Sequence, residues 1–106
     1  MAQTVLAGAY GSGFGQVSVL SSAPVPLGTS RSNRSRLIVT NNSGQSVFVG
    51  MFPKGTAPAT VATGLAVSTG HEIPSPAVMY YMSQQTDYYV IAAEPVSISF
   101  AEEYLG

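Results

Sequence analysis

Val96-Ser97-Ile98-Ser99-Phe100 carries the clearest structural signal in this 106-residue sequence. Apolar and polar residues alternate strictly, which is the pattern of a β-strand with one face in a core and the other in solvent. We expect Val96, Ile98 and Phe100 to face inward and the two serines to face outward. The period of this stretch therefore favours a sheet over a helix.

The rest of the sequence repeats this kind of signal at intervals of roughly ten residues. Short apolar stretches alternate with turns rich in Gly, Pro and Asn, and no segment shows a helical period over three turns. We count about eight predicted strands on this basis. Evenly spaced short strands are typical of an antiparallel β-sandwich or a jelly-roll-like barrel, so we predict a single all-β domain over residues 16–106.

The clearest predicted hairpin joins residues 36–40 to residues 45–51. Both segments are apolar, and residues 41–44 between them have the Asn and Gly content of a turn. Residues 52–60 contain prolines and a glycine, which predicts a loop. Residues 61–67 are short and only weakly apolar.

Residues 1–15 are predicted to form a flexible arm that becomes ordered when it docks on a partner. Four glycines fall between positions 8 and 15. The apolar side chains that would lose contact with water on docking are Val5, Leu6, Tyr10 and Phe14. The segment has neither the basic nor the apolar region of a secretory signal, so we expect the protein to be made and used without export.

The composition is unusual in its charge. The sequence is 45% hydrophobic and 8% charged, whereas about 25% charged is usual. Two explanations remain open: a surface solvated by Ser, Thr, Asn and Gln, or a surface packed against other subunits. The hydrophobic content excludes a disordered tail, and the absence of Cys excludes a disulfide scaffold. With a net charge of −1 and no apolar run of 18 residues, we expect neither nucleic-acid nor membrane partners.

Candidate catalytic and metal-binding residues are few. The single histidine, His71, precedes Glu72, and adjacent side chains of a strand point to opposite faces, so the two are not placed as a catalytic dyad. The five acidic residues show no spacing typical of a metal site. We therefore expect no enzymatic activity, no metal and no cofactor.

The charged residues are segregated along the chain, and this suggests ion pairs. Three of the four basic residues are Arg31, Arg34 and Arg36, and two acids, Glu102 and Glu103, lie near the other end of the sequence. Arginine suits planar, bidentate pairing with carboxylates. We expect these groups to pair within one chain or between copies; simple solvation and contact with nucleic acid are the alternatives.

Tyrosines form the second group of candidate contact residues. In a strand, one member of an adjacent pair faces the core and the other faces outward. Outward tyrosines are enriched at protein interfaces, and they also offer a surface on which sugars stack. The candidates are Tyr80, Tyr81, Tyr88, Tyr89 and Tyr104.

Three stretches together resemble small virion proteins of tailed bacteriophages: residues 33–43, residues 47–50 and residues 96–104. In those proteins an Arg-rich segment leads into a strand, an Asn-Asn-Ser turn and a second strand, and a final strand ends in Glu-x-Tyr. Proteins of this size and composition include capsid decoration, or cement, proteins with jelly-roll-like folds. No specific binding residue can be transferred from the resemblance.

The resemblance implies a non-enzymatic structural protein on the outer capsid surface of a virion, made in the host cytoplasm. Its partners would be the major capsid protein, which it would bind across subunit junctions to stabilise the shell, and itself, as a dimer or trimer. The alternative is a glycan-binding head-fibre or tail module, which the outward tyrosines would serve.

Overall fold

The computed structural model describes residues 10–27, 34–81 and 86–105, with the backbone alone described for residues 10–14, 34–35 and 104–105. Within this part of the chain there are eight strands and one short helix. In chain order they are β1 (Tyr10–Val19), β2 (Val25–Pro26), β3 (Arg34–Asn41), β4 (Val47–Pro53), α1 (Pro58–Gly64), β5 (His71–Ile73), β6 (Ala77–Tyr81), β7 (Thr86–Ala92) and β8 (Val96–Leu105).

The strands form two antiparallel four-stranded sheets. Sheet A has the order β1-β8-β3-β6, and sheet B has the order β2-β7-β4-β5. β1 pairs with β8, β2 with β7, β3 with β6 and β4 with β5. The chain is therefore folded like one long hairpin whose two arms wrap together into a sandwich, which is the strand order of a jelly roll. The predicted all-β sandwich is confirmed.

The core lies between the inner faces of the two sheets. In β8, Ile98 is buried while Ser97 and Ser99 are exposed, as the alternation predicts. Val96 and Phe100 are half-buried and pack against the core. The core residues are Val19, Leu27, Leu37, Val39, Val47, Val49, Ile73, Tyr81, Tyr88, Val90, Ala92 and Ile98.

The predicted hairpin over residues 36–51 is wrong, because β3 belongs to sheet A and β4 to sheet B. The turn carries the chain from one sheet to the other. Asn41 is fully buried at this crossover. Its Nδ2 donates to the carbonyl oxygens of Gln45 (2.7 Å) and Ile73 (2.9 Å), and its Oδ1 accepts from the amide of Ser43 (3.1 Å). Turn composition predicts a reversal of the chain but not the sheet in which the chain continues.

Helix α1 was not predicted, since residues 52–60 were expected to form a loop. Pro58 starts the helix, where its missing N–H and fixed φ are tolerated. Val61 and Leu65 lie four residues apart, and both are buried. Seven residues make about two turns, so the helix is too short to show a period. No helix among the described residues is long and apolar enough to cross a membrane.

α1 and the segment that follows it cover the outer face of sheet B, and glycines allow the close approach. A Cβ added at Gly70 would lie 2.7 Å from Phe48 Cβ and 2.9 Å from a Leu65 methyl carbon. A Cβ at Gly50 would lie 2.9 Å from the Phe52 ring. At Gly70 the nearest atom is next to the backbone of Phe48 and cannot move away, so this position must lack a side chain for the layer to pack. At Gly50 the nearest atoms are the ends of the Phe52 and Leu65 side chains, which would have to shift.

The N-terminal segment differs from the expected boundary of the arm. β1 begins at Tyr10, and residues 10–15 pair with residues 105–100 of β8, so this part of the predicted arm belongs to sheet A. Gly15 packs against the Phe100 ring opposite it: a Cβ at this position would lie 3.4 Å from the ring, in ordinary van der Waals contact. Val5 and Leu6 lie outside the described residues, and their docking stays a prediction.

Candidate interaction surface

The outer face of sheet A carries an apolar ridge made by half-buried Ile38 and by exposed Val78 and Tyr80. Tyr80 is 57% exposed and Val78 is 52% exposed. Ile38 lies directly opposite Tyr80 in the pairing of β3 with β6, and Thr40 lies opposite Val78, so all four side chains share one face. The ridge therefore presents adjacent apolar side chains on a hydrogen-bonded sheet, which fixes their relative positions.

An ion pair borders the ridge. Arg36 donates through Nε and Nη2 to the two carboxylate oxygens of Glu103, each at 2.9 Å. Both side chains are partly exposed. The hydrogen bond to Glu103 and the charge of that carboxylate raise the pKa of Arg36. This is one of the pairs suggested by the sequence, and it forms within a single chain. Because the pair is bidentate, it holds the guanidinium in a fixed orientation.

The guanidinium also contacts the ridge. Arg36 Cζ lies 5.4 Å from the centroid of the Tyr80 ring, within the range of a cation–π contact. Tyr80 is thereby restrained on one side while most of its surface stays exposed. The charge of Arg36 is balanced by its partner, so this part of the face has no net charge.

The other half of the face is polar and uncharged. Gln16 lies opposite Ser99, and Ser18 lies opposite Ser97, in the pairing of β1 with β8. All four side chains are exposed. Among the side chains described on this face, Arg36 and Glu103 are the charged ones. The surface therefore consists of an apolar ridge, a balanced ion pair and a polar strip.

Two of the tyrosines predicted as contact residues are buried instead. Tyr81 is 8% exposed and Tyr88 is 4% exposed. Their ring centroids lie 4.8 Å apart between the sheets. Burial, together with the nearby Tyr88, raises the pKa of Tyr81 to about 12. The expected alternation is present in each pair: Tyr80 faces out beside Tyr81, and half-buried Tyr89 contacts Phe52 edge-on on the other face of its sheet.

The remaining candidate residues also divide into buried and outward-facing ones. Glu102 is 2% exposed and is therefore not a surface contact, whereas its neighbour Glu103 is on the outer face. Arg34 and Tyr104 are opposite each other in the backbone pairing of β3 with β8. The structure describes neither their side chains nor any part of Arg31. The predicted cluster is therefore represented at the surface by Arg36 with Glu103.

The side chains around the histidine do not form a catalytic arrangement. His71 Nδ1 lies 3.0 Å from the hydroxyl of Tyr81, whereas Glu72 accepts a hydrogen bond from Ser46 Oγ at 2.6 Å. The two adjacent residues thus bond to different partners on opposite faces. Among the described residues, no group of three His, Cys, Asp or Glu side chains could hold a metal ion.

A shallow cleft of about 380 Å³ lies beside this histidine, between β4 and the segment from α1 to β5. Its lining includes Phe52, Leu65, Gly70 and His71. The glycine is explained by the close packing of Leu65 on sheet B. The polar side chains in the lining are those of Thr69 and His71, and the Thr69 hydroxyl bonds to the backbone of Gly64 and Ala66.

The fold is the basis for classifying this chain. Neither a protein-family model nor a curated protein matches the sequence. The strand order defines an eight-stranded jelly roll, an architecture that viral capsid domains, lectins and cupins share. Fold alone does not assign a function, so the surface has to be considered.

Proposed function

We propose that this chain is a non-enzymatic structural protein of a virion. In this proposal it binds the capsid shell across subunit junctions with the outer face of sheet A and stabilises the shell. The observation that supports the proposal is the apolar ridge, with Val78 and Tyr80 exposed and Ile38 half-buried, beside the balanced ion pair. Apolar and aromatic groups at the centre, with polar groups around them, are the composition of a protein interface.

The energetics of such a surface suit attachment in many copies. Fully burying one apolar side chain contributes roughly 1.5–3 kcal/mol, and the ridge offers two side chains that are about half exposed, so a single contact of this kind is weak. Several contacts on one particle must all release before the shell can open, which multiplies the effect. Since the face has no net charge among its described side chains, attachment should depend little on ionic strength.

The experiment that tests the proposal uses particles from the cells that make the protein. Copies per particle are counted by quantitative mass spectrometry, and complete particles are compared with particles that lack the chain. We expect many symmetric copies and earlier genome release on heating or osmotic shock when the chain is missing. Absence from particles, or equal resistance of both kinds of particle, would contradict the proposal.

A matched pair of variants tests the surface itself. Val78→Ser with Tyr80→Ser removes the ridge, and Met51→Ser is the control, because Met51 is 55% exposed but lies on sheet B. Rebinding to stripped particles should weaken for the ridge variant and stay unchanged for the control. Equal binding by both variants would place the contact elsewhere on the molecule.

One observation favours a second candidate, a glycan-binding module. The exposed Tyr80 ring lies next to Arg36 and Glu103, which supply hydrogen-bond donors and acceptors beside an aromatic surface. A sugar could stack on the ring and bond to these groups. If particles without the chain resist heat normally but fail to adsorb to cells, this function replaces the first.

A further inference from the structure

Among the sheet edges formed by the described residues, the outer edge of β1 is the least protected. β1 is ten residues long and lies at the end of sheet A, where it pairs with β8 on one side. Within the described residues, no strand pairs with its other side. In an antiparallel ladder, alternate residues turn both backbone groups away from the neighbouring strand. β1 therefore presents a row of N–H and C=O groups along this edge.

The other three edges of the described sheets carry the features that block edge pairing. β2 has two residues and includes Pro26. β5 has three residues and is followed directly by Pro74. β6 has five residues, and Pro76 immediately precedes it. Short length and proline thus limit each of these edges.

β1 has none of these features. Its sequence, YGSGFGQVSV, contains no proline and no charged residue. All ten of its residues pair with β8 without a register shift, so no bulge turns the edge aside. A long, regular and uncharged edge strand is a template for another strand.

We propose that the β1 edge pairs antiparallel with the β1 edge of a second copy of this chain. The two copies of sheet A would join into one continuous eight-stranded sheet around a twofold axis. Ten residues at about 3.4 Å each give a ladder of roughly 34 Å. The inference is independent of the capsid proposal, since it concerns the chain in isolation.

The sequence of β1 favours a second copy over other partners. Antiparallel pairing of identical strands brings the residues beside the twofold axis close to their own counterparts, so a charge there would approach a like charge. β1 contains none, whereas charges are what partners of unlike sequence use to select one another. Twofold pairing also uses the edge of each copy once and closes at two copies, which selects a dimer over a trimer.

A charge placed on this edge tests the pairing directly. Gln16→Lys with Ser18→Lys adds two cations to the edge strand β1 of each copy. Ser97→Lys with Ser99→Lys is the matched control, because these residues lie directly opposite the first two, are also exposed, and belong to the interior strand β8. Both variants change the net charge by the same amount.

Sedimentation equilibrium at low ionic strength provides the readout. We expect wild type and control to show twice the 11.0 kDa chain mass in the micromolar range. The edge variant should dissociate at concentrations roughly tenfold or more higher than the control does. A wild type that stays monomeric, or equal dissociation of the two variants, would overturn the proposal.

Hydrogen exchange of the wild type keeps the proposal testable if a variant fails to fold. Alternate amides of β1 should gain protection as protein concentration rises, while the amides of the β6 edge should not. Protection of the β1 edge that is independent of concentration would show that another part of the same chain covers it, and would overturn the proposal.

Discussion

Asn41 is expected to be the polar residue on which the crossover between the sheets depends. It is fully buried, and its Nδ2 donates to the carbonyl oxygens of Gln45 and Ile73. Its Oδ1 accepts from the amide and the hydroxyl of Ser43, at 3.1 and 2.7 Å. The side chain thereby connects the end of β3, the turn and the end of β5. Asn41→Ala removes all four hydrogen bonds.

The expected loss in the free energy of unfolding depends on how deeply each hydrogen bond is buried. The bond to Ile73 is buried, so its carbonyl would be left without a donor at a cost of about 1–3 kcal/mol. The bonds to Gln45 and Ser43 are only partly buried, so water can replace part of their contribution, at about 0.5 kcal/mol each. The free energy of unfolding should therefore fall by about 3 kcal/mol, and Tm by roughly 10–20 °C.

Urea denaturation followed by circular dichroism measures this change, with Asn42→Ala as the control. Asn42 is adjacent and exposed, so its replacement should stay within about 0.5 kcal/mol of wild type. If Asn41→Ala falls within the same range, the crossover does not depend on this side chain and the reasoning is refuted.

Asn41→Asp adds a second, pH-dependent test. The introduced carboxyl keeps the acceptor for Ser43 but turns an oxygen toward two carbonyl oxygens, which raises its pKa in the folded state. Stability should thus be retained below the unfolded pKa of about 3.9 and be lost as the pH rises through the folded value. A variant whose stability does not depend on pH in this range would contradict the assigned hydrogen bonds.

Other parts of the fold give three further predictions. Because the pKa of Tyr81 is raised from 10.0 to about 12, its contribution to stability should be present below pH 10 and lost as the pH rises toward 12; Tyr81→Phe should reduce this alkaline loss in urea titrations between these pH values. Gly70→Ala should lower the free energy of unfolding by about 1–3 kcal/mol through its clash with Phe48. Thermal melts should show a smaller loss for Gly64→Ala, since a Cβ there would lie 3.2 Å from its nearest neighbour, a Phe52 ring carbon. Leu37→Ala, at a fully buried position, should reduce the free energy of unfolding by about 2–5 kcal/mol, and calorimetry showing no change would contradict its place in the core.

The sequence predicted the parts of the fold that depend on local alternation. The inward face of β8 is correct because solvent and core impose a period of two on any half-buried strand. The same rule predicted that Tyr80 and Tyr81 face opposite sides of the sheet. It could not predict which strands become neighbours, because pairing depends on contacts far apart along the chain. The crossover at Asn41 was therefore interpreted as a hairpin.

The candidate surface was predicted only in part for the same reason. Arg36 and Glu103 were recognised as possible partners from their charge. Ile38 and Val78 were missed, because an apolar residue in an apolar segment gives no sign of facing out until the neighbouring strand is known. Glu102 was named with Glu103 as a partner of the arginines from its charge alone, and its burial was not predicted, since acidic residues are rarely buried.

The position of β8 between β1 and β3 has a consequence for how the protein comes to be folded. β8 is the last of the eight described strands to leave the ribosome, yet it is the strand that joins β1 to β3 and β6 in sheet A. Even the nearest pair of the β1–β8 ladder, Val19 with Val96, closes a loop that spans most of the chain, and such closure is slow. A nascent chain therefore lacks the β1–β8 ladder until β8 has left the ribosome. During that interval β1 is a site for misassembly with other nascent chains, so rapid release and dilution should favour correctly folded protein over aggregate.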